Sequence, residues 1–149
     1  MGDNESASIL RILIVDDLAV NRKLLHLMLT RLGYRADMVT NGNEAIQALE
    51  RQPYDLIFMD LQMPILNGLR AAQAIRENLS HKEKPYIIAI TAYADRFDRE
   101  TCKNAGMNDY LTKPTTLDDI RRAIQSAEME LKKKGLYPRE ERAPFNGIY

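Results

Sequence analysis

Three aspartates, a threonine and a lysine stand at or just beyond the ends of short apolar runs in this 149-residue chain. Leu10 to Val15 ends in Asp16 and Asp17, and Leu56 to Met59 ends in Asp60. Tyr86 to Ile90 ends in Thr91, and Asp109 to Leu111 leads to Lys113. Carboxylates that share a cleft repel one another, and desolvation adds to the cost. A hard divalent cation removes that cost. Magnesium takes oxygen ligands, commonly a few carboxylates, waters and a phosphate. A lysine and a hydroxyl beside such a cluster would neutralise and hydrogen-bond a phosphoryl group in transfer. One carboxylate could itself be the nucleophile, giving an aspartyl phosphate. Taken singly, each residue has a plainer role: an aspartate or threonine after a strand caps a helix or turns the chain, and a lysine is solvated. Their joint occurrence at four strand ends is what points to one site.

For these residues to meet, the apolar runs must be strands of one sheet. Leu10 to Val15 is β-branched and nearly continuous, as a buried parallel strand requires. Leu24, Leu25, Met28, Leu29 and Leu32 then mark a helix face closed by Gly33. Arg35 to Val39 reads as strand two, and Asn41-Gly42-Asn43 starts a helix carrying Ala45, Ile46 and Leu49. Strand three is Leu56 to Met59, followed by helix three over Leu69 to Glu77. Strand four is Tyr86 to Ile90, helix four Asp95 to Asn104, and strand five Asp109 to Leu111. Thr116 caps helix five, with Asp118 and Asp119 in its first turn and an apolar stripe from Ile120 to Leu131. Five strands alternating with five helices make a doubly wound α/β fold, a parallel sheet covered on both faces. In such sheets ligands bind beyond the carboxyl ends of the strands, where the polar candidates fall.

Composition narrows the function. Lysine plus arginine total 21 and so do aspartate plus glutamate, which leaves no electrostatic footprint for nucleic acid. The single cysteine, Cys102, suits a reducing compartment, and His26 and His81 form no zinc pattern. No apolar stretch approaches the roughly 20 residues of a spanning helix. Phosphate-loop, dinucleotide and serine-hydrolase motifs are all missing. The expected organisation is a polar leader over 1–8, one domain over 9–134, and a tail or linker over 135–149.

At these residues the chain resembles the receiver domain of two-component response regulators, of the variety found with hybrid histidine kinases. The resemblance rests on Ile14-Val15-Asp16-Asp17, on Phe58-Met59-Asp60-Leu61-Gln62-Met63-Pro64, on Ile90-Thr91-Ala92, and on Ala105 to Pro114. It covers about Leu10 to Leu131. It implies a flavodoxin-like sheet of order 2-1-3-4-5. Asp60 would be the phosphoacceptor. Asp16, Asp17, Asp60 and the Gln62 backbone carbonyl would hold Mg2+, with Mn2+ as an alternative; Asp17 would bind directly and Asp16 partly through water. Lys113, before a cis Pro114, and Thr91 would bind the phosphoryl group. Thr91 and Tyr110 would form the switch pair, and Gln62 and Tyr93 would tune dephosphorylation. On fold grounds alone Tyr110 is only a half-buried aromatic on a short strand.

The partners so implied are a histidine kinase or histidine-phosphotransfer protein, which docks near helix one around Ala19, Arg22 and Leu25, and a downstream protein target or linked output domain. A homodimer through helix four, strand five and helix five is a further expectation, with no direct nucleic-acid binding, no membrane insertion and a cytoplasmic location. Such a chain is not a classical enzyme; it catalyses only its own phosphorylation and slow dephosphorylation. Two other classes compete. An unregulated receiver-like scaffold would not need magnesium. An aspartyl-phosphate-forming phosphatase typically has a second acid two residues after its nucleophile, where Gln62 stands. Leu66-Asn67-Gly68 replaces the family's common Met-Asp-Gly, and Leu18 follows the acidic pair where a polar residue is usual.

Overall fold

The computed structural model describes residues 9–63, 67–95 and 98–138. The expected leader over 1–8 and the tail from 139 lie outside the described residues. The strands are β1 (Ile12–Val15), β2 (Ala36–Val39), β3 (Leu56–Asp60), β4 (Tyr86–Thr91) and β5 (Asp109–Thr112). The helices are α1 (Ala19–Arg31), α2 (Gly42–Arg51), α3 (Gly68–Glu77), α4 (Arg99–Asn104) and α5 (Leu117–Lys133). All strand pairs are parallel, in the order β2-β1-β3-β4-β5.

The central strands are apolar up to the polar residues at their carboxyl ends because both of their faces are covered. Ile12 and Ile14 of β1 face Leu25 and Leu29 of α1 and Ile120, Ile124 and Leu131 of α5. Leu13 and Val15 face Ala45 and Leu49 of α2 and Ala71 and Ile75 of α3, in the cluster that also holds Cys102 of α4. Period-two alternation therefore splits one apolar strand between two cores.

The helices start where their caps place them. The Asn41 side chain accepts the Glu44 N–H at 2.8 Å. Thr116 and Asp119 form a reciprocal capping box, with 3.1 Å and 3.0 Å bonds. Helix four is shorter than its sequence pattern suggests. Asp98 accepts the Thr101 N–H at 2.8 Å and so caps the helix at Arg99, leaving Asp95 in an exposed turn.

The packing also runs past the expected boundary at 134. Gly135 adopts a φ of +74°, which ends α5 and turns the chain back. The Leu136 N–H then donates to Leu131 O at 2.8 Å, and Tyr137 is 5% exposed among the residues of the α1–α5 core. Lys84 holds this corner from below. Its ammonium lies 2.9 Å from Leu136 O and 2.9 Å from the fully buried carboxylate of Asp55.

Candidate functional site

Strand register assembles the site. Val15 of β1 stands opposite Met59 of β3, so the residues that follow, Asp16 and Asp60, emerge side by side. Carboxylate oxygens of Asp16, Asp17 and Asp60 all lie within 4.8 Å of one another. Asp16 and Asp60 are buried, 7% and 4% exposed, while Asp17 is half-buried at the mouth. The Asp16 carboxylate accepts the Leu18 N–H at 3.0 Å, and Arg22 Nη1 donates to the Asp16 carbonyl at 2.8 Å. Arg22 is thus tied into the wall of the site, whereas Leu25 faces the core at 8% exposure. Of the residues expected to receive a partner on α1, only Ala19 is exposed; the apolar side chains that face solvent there are Leu18, Val20, Leu24 and Leu27.

The loop after β5 brings Lys113 over the cluster. Its ammonium lies 3.3 Å from Asp60 Oδ1 and 3.9 Å from Asp16 Oδ2. The Lys113–Pro114 peptide is cis. Burial, and then the Asp16 charge, push the Asp60 carboxyl up to about 6; Lys113 and the Gln62 N–H, 3.4 Å away, oppose the rise. One lysine does not balance three carboxylates. The donor set is all oxygen and closely gathered, which fits a hard cation.

Thr91 is fully buried at the end of β4, where its hydroxyl accepts the Tyr93 N–H at 2.9 Å and its carbonyl accepts the Lys113 N–H at 2.8 Å. Tyr93 is 47% exposed. Tyr110 stands opposite Ala89 and packs into the α2–α4 core, 9% exposed, with the Arg99 guanidinium 5.2 Å over its ring. The structure therefore gathers Asp16, Asp17, Asp60 and Lys113 into one cluster, with Thr91 at the end of the neighbouring β4 and Tyr110 on β5, opposite Ala89 and so on the sheet face that Thr91 shares. Gln62 is half-buried next to Asp60.

Gly68 matters more to the site than its sequence position alone suggests. A Cβ there would lie 2.5 Å from the Asp60 backbone oxygen and 2.9 Å from Leu61 Cδ2. Only glycine lets the start of α3 press against the end of β3. Cys102 is buried, and burial pushes its thiol up to about 11, so it is inert packing.

Residues 12–125 match the response regulator receiver domain family. This chain is a member of that family. It is 40% identical over 132 residues to hybrid signal transduction histidine kinase K of Dictyostelium discoideum, a match covering 85% of the chain and 11% of that protein. The chain spans about a tenth of the length of that relative. The receiver domain of sensor histidine kinase PA1611 from Pseudomonas aeruginosa PAO1, solved with a magnesium ion coordinated in its active-site cleft, is 42% identical. It superposes with a TM-score of 0.73 over 80% of this chain and 97% of that one. The receiver domain of the Saccharomyces cerevisiae response regulator Ssk1, solved in complex with the histidine phosphotransfer protein Ypd1, is 32% identical, with a TM-score of 0.72 over 79% of this chain and 88% of that one. The receiver fold and its sheet order thus hold for this domain. Among the described residues, no helix is long and apolar enough to cross a membrane.

Proposed function

We propose that Asp60 of this receiver domain accepts a phosphoryl group from a phosphohistidine. The observation that carries the proposal is the convergence of three carboxylates within 4.8 Å, with the Lys113 ammonium 3.3 Å from the central one. An Asp60 oxygen forms the new P–O bond while the P–N bond of the donor breaks, and the imidazole nitrogen keeps that electron pair. Asp16, Asp17, Asp60 and the Gln62 carbonyl would hold a magnesium ion, which offsets the negative charge of the incoming phosphoryl group. Lys113 stabilises charge on the phosphoryl oxygens from the opposite side.

Thr91 supplies the response. Its hydroxyl, which accepts the Tyr93 N–H, donates its own proton to the phosphoryl oxygens once they stand beside it. That differential contact biases the arrangement of the loops after β3 and β4 and, through Tyr110, the face made by α4, β5 and α5. Gln62 and Tyr93 border the acyl phosphate and set how readily water reaches it.

The donor docks on the exposed apolar ridge of α1, Val20, Leu24 and Leu27, where Leu24 also lines a cavity of about 400 Å³ shared with Asp16, Lys113 and Pro114. A histidine kinase or histidine-phosphotransfer protein fits this role, in the cytoplasm. Acetyl phosphate with magnesium should add one phosphoryl mass to the intact protein, and Asp60→Asn should abolish the addition. A folded wild-type protein whose mass stays unchanged would overturn the proposal.

A further inference from the structure

Charge is balanced over the whole chain but not over its surface. A groove of about 690 Å³ runs below β5, between the end of α3, the loop after it, and α4. Its rim carries five cations, Arg76, Lys82, Arg99, Lys103 and Lys134, against two carboxylates, Glu83 and Asp109. The neighbouring hollow between β5 and α5, about 320 Å³, is lined by two cations, Arg99 and Arg122, and two carboxylates, Asp109 and Asp119.

The groove's positive charge is largely uncompensated within the described residues. Arg76 donates to Gly106 O at 2.9 Å, His81 O at 3.0 Å and Asn108 Oδ1 at 2.8 Å, all neutral oxygens. Gly106 makes this possible: a Cβ at its φ of +99° would lie 2.6 Å from Arg76 Cγ. Burial lowers the Arg76 pKa to about 10, and its charge helps hold the His81 pKa down. Lys82 and Lys103 are exposed and, among the described residues, form no ion pair. Among the described residues, Lys134 is the one rim cation with an ion pair, to Glu130 at 3.4 Å and Glu83 at 3.9 Å. Behind the rim lie the apolar side chains of Cys102 and Met107 and the ring of Tyr110.

We infer that this groove is a docking surface for an acidic segment of a partner protein, its carboxylates meeting the lysine and arginine rim and one apolar side chain reaching the floor. Charge complementarity selects the class of occupant. A segment seated there touches Arg99 and Tyr110, so its binding and the position of that ring are thermodynamically coupled. The inference does not rest on phosphoryl transfer, and the unmodified full chain suffices to test it.

The probe is a short fluorescein-labelled peptide of glutamate and leucine, titrated by fluorescence anisotropy and mapped by backbone amide shifts. It should bind with the largest shifts at Lys82, Lys103, Gly106 and Tyr110. The Lys82→Glu/Lys103→Glu variant should weaken it about tenfold or more, and Lys82→Gln/Lys103→Gln by less. Lys23→Glu/Lys133→Glu, outside the groove, should leave it unchanged. Melting curves check that each variant is folded. The inference is overturned by no binding, by shifts centred elsewhere, by equal affinity for a glutamine-for-glutamate peptide, by indifference to the groove reversals, or by a DNA duplex that occupies the groove more tightly.

Discussion

The Lys113 ammonium sits 3.3 Å from Asp60 Oδ1, yet it does not bring that carboxyl down to its ordinary range. Burial and Asp16 outweigh it, and the carboxyl stays at about 6. Without metal, the folded state therefore holds a proton on Asp60 that the unfolded chain releases near 3.8. Stability from this group is present below about 3.8 and is lost as pH rises through about 6. In chelator at neutral pH, Asp60→Asn should stabilise the domain by about 1–3 kcal/mol. Thermal melts at two pH values check this: the advantage of the variant should shrink towards pH 4. Equal melting of the two proteins at neutral pH would contradict it.

Magnesium should reverse the penalty. A ligand bound only by the folded state stabilises it by about 2.7 kcal/mol at 100-fold excess over its dissociation constant. The melting temperature should rise with added magnesium in the wild type. The rise should largely vanish in Asp17→Asn, which removes the most accessible ligand while sparing the buried pair. Acidification through about 6 should weaken the response, because a proton on Asp60 competes with the cation. Melting scans across magnesium concentration and pH test both statements.

The sequence made the acidic cluster legible because each partner directly follows a strand whose apolar run is unmistakable. Asp16 and Asp60 are 44 positions apart, but β1 and β3 are neighbours in register, so reading the strands was reading the site. Contacts between irregular segments carried no such signal. Nothing periodic links Lys84 to Asp55, or Arg76 to the Gly106 carbonyl, since each depends on where a long side chain crosses between elements. Helix four looked longer because its polar sequence has no apolar stripe to mark a start; the Asp98 cap supplied the boundary. The packing of Tyr137 leaves no signal for a related reason: it lies in a segment too short to show a period, and it is buried, with Leu136 partly buried beside it, because Gly135 turns the chain under α5.

Gly68→Ala tests the close approach of α3 to the acceptor strand. The added methyl would meet backbone at 2.5 Å, which cannot swing aside as a side chain can. A loss of about 1–3 kcal/mol is expected from the forced shift. Phosphoryl uptake should also slow, because the strained backbone belongs to Asp60 itself. Asn67→Ala, which removes only the 3.0 Å cap to the Arg70 N–H, should cost about 1 kcal/mol and spare uptake. Urea titration and a timed acetyl-phosphate reaction separate the two.

Lys84→Met should be far more damaging than an exposed lysine change. It leaves the Asp55 carboxylate, 0% exposed, without the ammonium now 2.9 Å away. Stripping one partner from a buried pair costs up to about 3–5 kcal/mol, and less here because Asp55 still accepts the Arg11 N–H at 2.8 Å. Adding Asp55→Asn should recover part of the loss, since the remaining amide carries no charge. A double-mutant cycle by urea unfolding measures the coupling.

Truncation at the carboxyl end decides whether the residues after α5 belong to the domain. Tyr137 is 5% exposed, with the Lys132 ammonium 6.0 Å from its ring centroid. Deleting from Leu136 onward removes that buried aromatic and the carbonyl that accepts from Lys84. The deletion should destabilise by about 3–5 kcal/mol, comparable to Tyr137→Ala. Deleting only from residue 139 should cost less than that, because this cut leaves the Lys84 contact and the buried ring in place. Equal stability of the two truncated proteins would show that Leu136 and Tyr137 contribute nothing to the fold.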